Sequence, residues 1–147
     1  MGANEEKYES LKLGNQLCFP LYACSKEIIR KYKPYLDEID LTYTQYITMM
    51  VLWEMKTLNV KTLGEKLYLD SGTLTPVLKK LESKGYITRV RSNEDERNLV
   101  VTITAQGEAL RDKALSIPPA MGTCVRLSPE EARLLYDLLY KIIGNVR

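Results

Sequence analysis

Apolar residues recur at helical spacing over most of the chain. From Leu11 to about Tyr35, Leu13, Leu17, Leu21 and Ile28 repeat at intervals of four and seven, with Lys and Glu among the positions between. That period predicts one long helix. Pro20 lies inside it and is expected to bend it, because proline cannot donate to the carbonyl of Gln16; Pro34 is expected to end it. Thr42-Tyr-Thr-Gln45 reads as a capping box, and the helix after it, to about Met55, is apolar on most sides, as a buried helix is. Asn59 is placed to cap a short helix over Val60–Leu67, with Val60, Leu63 and Leu67 inward. After a turn at Tyr68–Gly72, Leu74, Val77, Leu78 and Leu81 fall at i, i+3, i+4 and i+7. This third helix should begin at about Ser71–Thr73, since Pro76 is tolerated only near a helix start, and Gly85 should stop it.

Beyond Gly85 the period changes. Tyr86–Arg91 and Asn98–Thr104 are rich in Val, Ile and Thr and read as strands, joined by the polar loop Ser92–Arg97. Thr104 is placed to cap a helix running to about Ser116, with Pro118-Pro119 as its terminator. Ser128-Pro-Glu-Glu131 is a strong start signal for a last helix, which carries Leu135, Leu139 and Ile142 on one face and Leu134 and Leu138 beside them. The expected class is mainly α with a small β-hairpin.

At 147 residues, 45% hydrophobic and 27% charged, the chain suits one globular domain. Composition narrows the chemistry further. With no histidine, a His-based zinc site, a Ser-His-Asp triad and a Cys-His dyad are all excluded. Cys18, Cys24 and Cys124 are not in C-x-x-C spacing, and there is no Gly-rich phosphate loop. Neither an enzyme nor a cofactor or metal site is expected. The densest apolar run, Tyr46–Trp53, is far short of the ~20 residues that cross a bilayer. Glu5, Glu6, Lys7, Glu9 and Lys12 interrupt any signal-peptide core. The expectation is a cytoplasmic protein, away from membranes, with its cysteines as thiols at rest.

A net charge of +2 is too weak to imply nucleic acid by itself. Its distribution matters more. The order helix, short turn, helix, hairpin is that of a winged helix-turn-helix, whose second helix enters the major groove. Opposite its apolar stripe that helix carries Thr73, Thr75, Pro76, Lys79, Lys80 and Ser83, Ser71 stands at its start as a further DNA-binding candidate, and the hairpin adds Arg89, Arg91 and Arg97. Threonines can meet base edges, lysines suit phosphates, and an arginine at a loop tip suits a narrow minor groove. Glu94, Asp95 and Glu96 share the loop and can orient Arg97 instead of facing DNA. Any solvent-facing amphipathic helix also carries Lys and Thr. The sequential pairing of this helix with a basic hairpin is what favours DNA.

These residues carry a resemblance. Val60-Lys-Thr-Leu-Gly-Glu-Lys-Leu67, Leu69-Asp-Ser-Gly-Thr-Leu-Thr-Pro76, Leu78-Lys-Lys-Leu81, Gly85 and Asp95-Glu-Arg97 resemble the MarR family of bacterial regulators, from about Leu13 to Leu139. The resemblance implies a homodimer formed by helices within 1–40 and 105–147, a DNA-binding region over 41–104, and a pseudo-palindromic double-stranded operator. Asn15-Gln-Leu-Cys-Phe19, Leu21-Tyr22, Tyr32-Lys-Pro34 and Leu41-Thr-Tyr-Thr-Gln-Tyr46 are similar to the OhrR branch, repressors that sense organic hydroperoxides. That likeness implies a redox-sensing cysteine at Cys18, with the hydroxyls of Tyr32 and Tyr43 bonding its sulfur from the dimer partner. Phe19, Leu21, Tyr22, Tyr46 and Trp53 are candidates for an apolar approach. Cysteine is also among the most buried residue types, so an inert Cys18 in a regulator of small phenolic or lipophilic ligands is the competing reading.

A sulfenate at Cys18 needs a resolving thiol. Cys24 is six positions on, ~9 Å along a helix and on another face, so the two cannot bridge within one intact helix. Cys124 is the better candidate, since some OhrR proteins carry a second cysteine in this C-terminal region. A low-molecular-weight thiol is the alternative.

Overall fold

The computed structural model describes residues 2–91 and 98–147, the side chain of Ala3 apart. The predicted loop Ser92–Arg97, with Asp95 and Arg97, lies outside the described residues. The chain forms two compact units, 1–115 and 116–147.

The first unit opens with a short helix α1 (Gly2–Glu6) and two 3-10 turns at Glu9–Leu11 and Leu13–Asn15. The amides of Asn15 and Gln16 close these turns by donating to the carbonyls of Glu9 and Ser10. The long helix α2 is therefore Cys18–Asp37, starting seven residues later than the apolar period suggests. Both prolines are corrected by this. Pro20 is the third helical residue, where an N–H has no intrahelical acceptor, so it costs no hydrogen bond and makes no bend in the middle of the helix. Pro34 does not end α2, which continues to Asp37 with the Arg30 carbonyl left without its helical donor.

Asp40, in the left-handed region at φ 52°, turns the chain into α3 (Tyr43–Met55). The predicted capping box is formed: the Gln45 N–H donates to Thr42 Oγ1 and the Thr42 N–H to Gln45 Oε1. α3 is the central element. It packs on α2, on α4 (Val60–Leu67), on α5 (Ser71–Ser83) and on α6 (Ala105–Ala114). Met49 and Leu52 of α3, Leu63 of α4, and Leu74, Leu78 and Leu81 of α5 are fully buried. Asn59 caps α4 through Thr62 N–H, and Thr104 caps α6 through Gly107 N–H, both as expected.

The sheet has three strands, one more than predicted: β1 (Thr57–Asn59), β2 (Ile87–Arg91) and β3 (Leu99–Ile103), all antiparallel in the order β1-β3-β2. β3 is central, pairing Thr102 with both Thr57 and Thr88. β2 and β3 are the two arms of the wing. Helix, turn, helix and hairpin thus follow one another as the winged helix-turn-helix requires.

In the second unit Pro118 and Pro119 do not terminate a helix; they open one. α7 (Ile117–Val125) carries them at its start, where their missing N–H groups cost nothing. α6 ends earlier, at Ala114. α8 (Pro129–Val146) starts at the predicted capping box of Ser128 and Glu131.

Candidate functional site

The helix that would read DNA is α5. Its N-cap is Asp70, whose carboxylate accepts the Thr73 N–H at 2.7 Å. That bond, with a second from the Thr73 hydroxyl, holds the Asp70 carboxyl below the usual range. One face of α5 is sealed by Leu74, Val77, Leu78 and Leu81. The other presents Ser71, Thr73, Pro76, Lys79 and Lys80 to solvent. Thr75 differs from the rest of the set. It is half-buried, and its hydroxyl donates to the Ser71 carbonyl at 2.7 Å, so its proton is committed to the helix. Pro76 is the sixth helical residue, so the Gly72 carbonyl has no helical donor.

The two hairpin arginines among the described residues, Arg89 and Arg91, are placed differently. Arg91 is exposed at the end of β2. Arg89 is held against α5: its Nη2 donates to Glu82 Oε1 at 3.0 Å and its main-chain N–H to Glu82 Oε2 at 3.1 Å. Its side chain is only 18% exposed. Arg89, grouped by the sequence with the DNA-binding residues, ties β2 to α5, and its guanidinium lowers the Glu82 carboxyl. A second tie was absent from the sequence reading. Lys84, at the C-terminal end of α5, donates to Gln45 Oε1 at 3.2 Å and to the Asp40 carbonyl, with the Asp40 carboxylate 3.5 Å away. These partners lie 39 and 44 residues away in sequence, beyond the range of any periodicity.

Cys18 is the first residue of α2 and is exposed. Tyr32 lies fourteen residues on, in the same helix. The structure brings Tyr32 and Tyr43 together, with ring centroids 5.0 Å apart. Tyr46 joins them at 5.9 and 6.3 Å and meets Trp53 edge-on at 6.4 Å. Burial pushes all three phenols above their usual value, and Tyr43 and Tyr46 are raised further by their phenol neighbours. They are protonated hydroxyl donors across the neutral range. Tyr46 and Trp53 are core and not approach surface; the Trp53 indole donates to the Gly107 carbonyl at 2.9 Å. Phe19 and Tyr22 are exposed beside Cys18, and Leu21 is half-buried. Within one chain, fourteen residues of helix separate Cys18 from Tyr32, a rise of ~21 Å. Cys24 is exposed on α2, and Cys124 is exposed in the last turn of α7. Beside Tyr43 a cavity of about 290 Å³ is lined by apolar Ile29, Leu36 and Leu41, by Thr42, and by the charged residues Arg30, Lys33 and Asp37.

The chain is similar to known proteins. Residues 30–114 match the family model of the transcriptional regulators SarA/Rot. The chain is 48% identical over 142 residues to the organic hydroperoxide resistance transcriptional regulator of Bacillus subtilis strain 168, covering 97% of each. It is 49% identical over 139 residues to the HTH-type transcriptional regulator SarZ of Staphylococcus aureus, covering 95% of this chain and 89% of that one. Among solved structures, overoxidized AbfR bound to DNA is similar with a TM-score of 0.77 at 32% identity, covering 96% of this chain and 99% of the other. The winged-helix expectation therefore holds, and the chain belongs to the MarR/SarA family of transcriptional regulators, in its OhrR-like branch.

Proposed function

We propose that the chain is a homodimeric repressor that binds a pseudo-palindromic operator and releases it when Cys18 is oxidised by an organic hydroperoxide. The observation that carries this reading is the division of one chemical site between the two ends of α2. An exposed thiol stands at one end, and a pair of protonated phenols at the other. A second copy in antiparallel contact supplies what each end lacks. Such a copy also covers apolar surface: Leu17, Phe19, Tyr22 and Ile29 of the α2 region, and Leu134, Leu135, Leu138 and Tyr140 of α8, are all exposed. Helices within 1–40 and 105–147 form this interface.

In the chemical step the Cys18 sulfur attacks the terminal hydroperoxide oxygen. The S–O bond forms as the O–O bond breaks, and thiol plus hydroperoxide become sulfenic acid plus alcohol. Tyr32 and Tyr43 of the second copy donate hydrogen bonds to the sulfur. A thiol then condenses with the sulfenic acid and releases water; Cys124 or a low-molecular-weight cytoplasmic thiol serves. The event is stoichiometric, a signal and not turnover. On DNA, Ser71, Thr73 and Pro76 meet base edges or the backbone at the start of α5, and Lys79, Lys80 and Arg91 meet phosphates. Arg97 suits a narrow minor groove, with Asp95 as an acid that would orient it.

The test is operator binding by fluorescence anisotropy before and after one equivalent of cumene hydroperoxide. Wild type loses at least tenfold in affinity and Cys18→Ser loses none. Unchanged wild-type affinity overturns the sensing role, and loss that persists in Cys18→Ser moves the sensor elsewhere. The cavity beside Tyr43 favours a second reading, release by a small phenolic or lipophilic ligand, because its size suits about one aromatic ring with substituents. Saturable thermal stabilisation by such a ligand without thiol modification would support it.

A further inference from the structure

α5 is tied to the turn that precedes α3 by one side chain, and that turn carries Tyr43. Lys84 is the residue at the end of α5, next to Gly85, whose φ of +84° hands the chain to β2. Its ammonium donates to the Asp40 carbonyl and to Gln45 Oε1, with the Asp40 carboxylate beside it. The Lys84 side chain is only 18% exposed. Gln45 Oε1 has a second duty, since it accepts the Thr42 N–H at 3.0 Å and so closes the capping box that starts α3. Tyr43 is the first residue of that helix, between the two partners of the box.

We propose that Lys84 is the positioning residue that couples the tyrosine cluster to the reading helix. The proposal rests on the redox reading above and extends it to how the signal leaves the sensor. A change in what Tyr43 bonds acts on the first turn of α3. The capping box makes that turn and the Asp40–Thr42 backbone one unit, through the paired Thr42 and Gln45 bonds. Lys84 grips this unit at a backbone carbonyl and at the capping amide, neither of which can move without moving the turn. On its other side it is continuous with α5 and with the Gly85 pivot. The Glu82–Arg89 pair then makes β2 follow α5. Displacement at Tyr43 is thereby delivered to helix and wing together. α3 and α5 also pack together, and the buried face of α5 is apolar, without the charge and direction of this tie.

Lys84→Met keeps the length of the side chain and removes its charge; Lys84→Arg keeps the charge. Both are compared with wild type by anisotropy, on a duplex selected from a random pool by the reduced wild-type protein. Each is measured reduced and after one equivalent of cumene hydroperoxide, with Cys18 oxidation quantified by mass spectrometry and folding followed by circular dichroism. Expected is a reduced-state affinity for Lys84→Met within about threefold of wild type, full Cys18 oxidation, and a loss on oxidation below threefold where wild type loses tenfold or more. Lys84→Arg restores the wild-type response. A Lys84→Met response equal to wild type overturns the coupling role. So does a reduced-state loss as large as the oxidation response, because the tie would then serve folding alone. Asp40→Asn, a change at an exposed carboxylate, retains the coupling because the carbonyl and amide acceptors remain; its abolition of the response would shift the role from Lys84's two neutral acceptors to the ion pair and overturn the proposal as stated. A wild-type protein indifferent to the hydroperoxide instead removes the redox reading beneath it.

Discussion

At the scale of single residues, close approach decides more than charge. Gly64 sits in the middle of α4, where alanine is the better helix former by about 1 kcal/mol. A Cβ there would stand 2.8 Å from the Leu69 carbonyl oxygen and 3.6 Å from Leu74 Cδ2. The oxygen belongs to the turn between α4 and α5, and the Leu69 N–H already donates to the Gly64 carbonyl at 3.0 Å. Backbone cannot rotate away as a side chain can. The clash outweighs propensity, and Gly64→Ala is expected to lose about 1–3 kcal/mol, as overpacked sites do. Urea unfolding measures it, and a gain in stability would show that the turn yields. The same turn sets the angle of α5, so the variant should also weaken operator binding in its folded fraction.

At the scale of elements, helix starts with a side-chain cap are the most legible, whereas α2, which has none, begins seven residues later than its period suggests. Thr42, Asn59, Thr104 and Ser128 all cap as their side-chain chemistry suggests, because a cap is a contact over three residues. Prolines were read less well. Pro34, Pro118 and Pro119 suggest helix terminators, yet proline opens a helix as readily as it ends one, and a long helix absorbs one lost bond. β1 escaped notice because three residues carry no usable alternation; only pairing with β3 makes them a strand. For the site, the outward face of α5 followed from its period. The nearness of Tyr32 to Tyr43 came with the family likeness, and the Arg89 and Lys84 ties needed tertiary structure. Arg89 shows what that costs a sequence reading, since an arginine in a basic hairpin looks like a phosphate contact until its partner is seen. The distinction is measurable. Lys79→Ala should weaken DNA binding and make its dependence on salt shallower, by about one unit of slope. Arg89→Ala should weaken binding through a loosened wing while the slope stays that of wild type. A shallower slope for Arg89→Ala would instead place Arg89 at the phosphates.

At the scale of the whole molecule, the question is whether each sensing site is built from two chains. α2 limits what one chain can do alone: Cys18 and Tyr32 lie fourteen residues apart on it, ~21 Å of helix rise, far beyond hydrogen-bond reach. If the partner completes the site, damage to the thiol and damage to the phenols should complement each other in a mixed dimer. One protomer carries Cys18→Ser with both tyrosines intact. The other carries Tyr32→Phe and Tyr43→Phe with its cysteine intact. Each homodimer then has two defective sites. In the heterodimer the intact Cys18 faces the intact tyrosines of the other chain, and one working site returns, while the second pairs serine with phenylalanine. Equal mixing gives half of the dimers as heterodimers, so about a quarter of the wild-type sites should form sulfenic acid at the wild-type rate, trapped with dimedone and followed by mass spectrometry. The tyrosine variant alone should react slowly, because its thiol lacks the two donors. A mixture that reacts no faster than the sum of its parts would mean that the tyrosines do not act across the interface, and the division of the site along α2 would then have no chemical consequence.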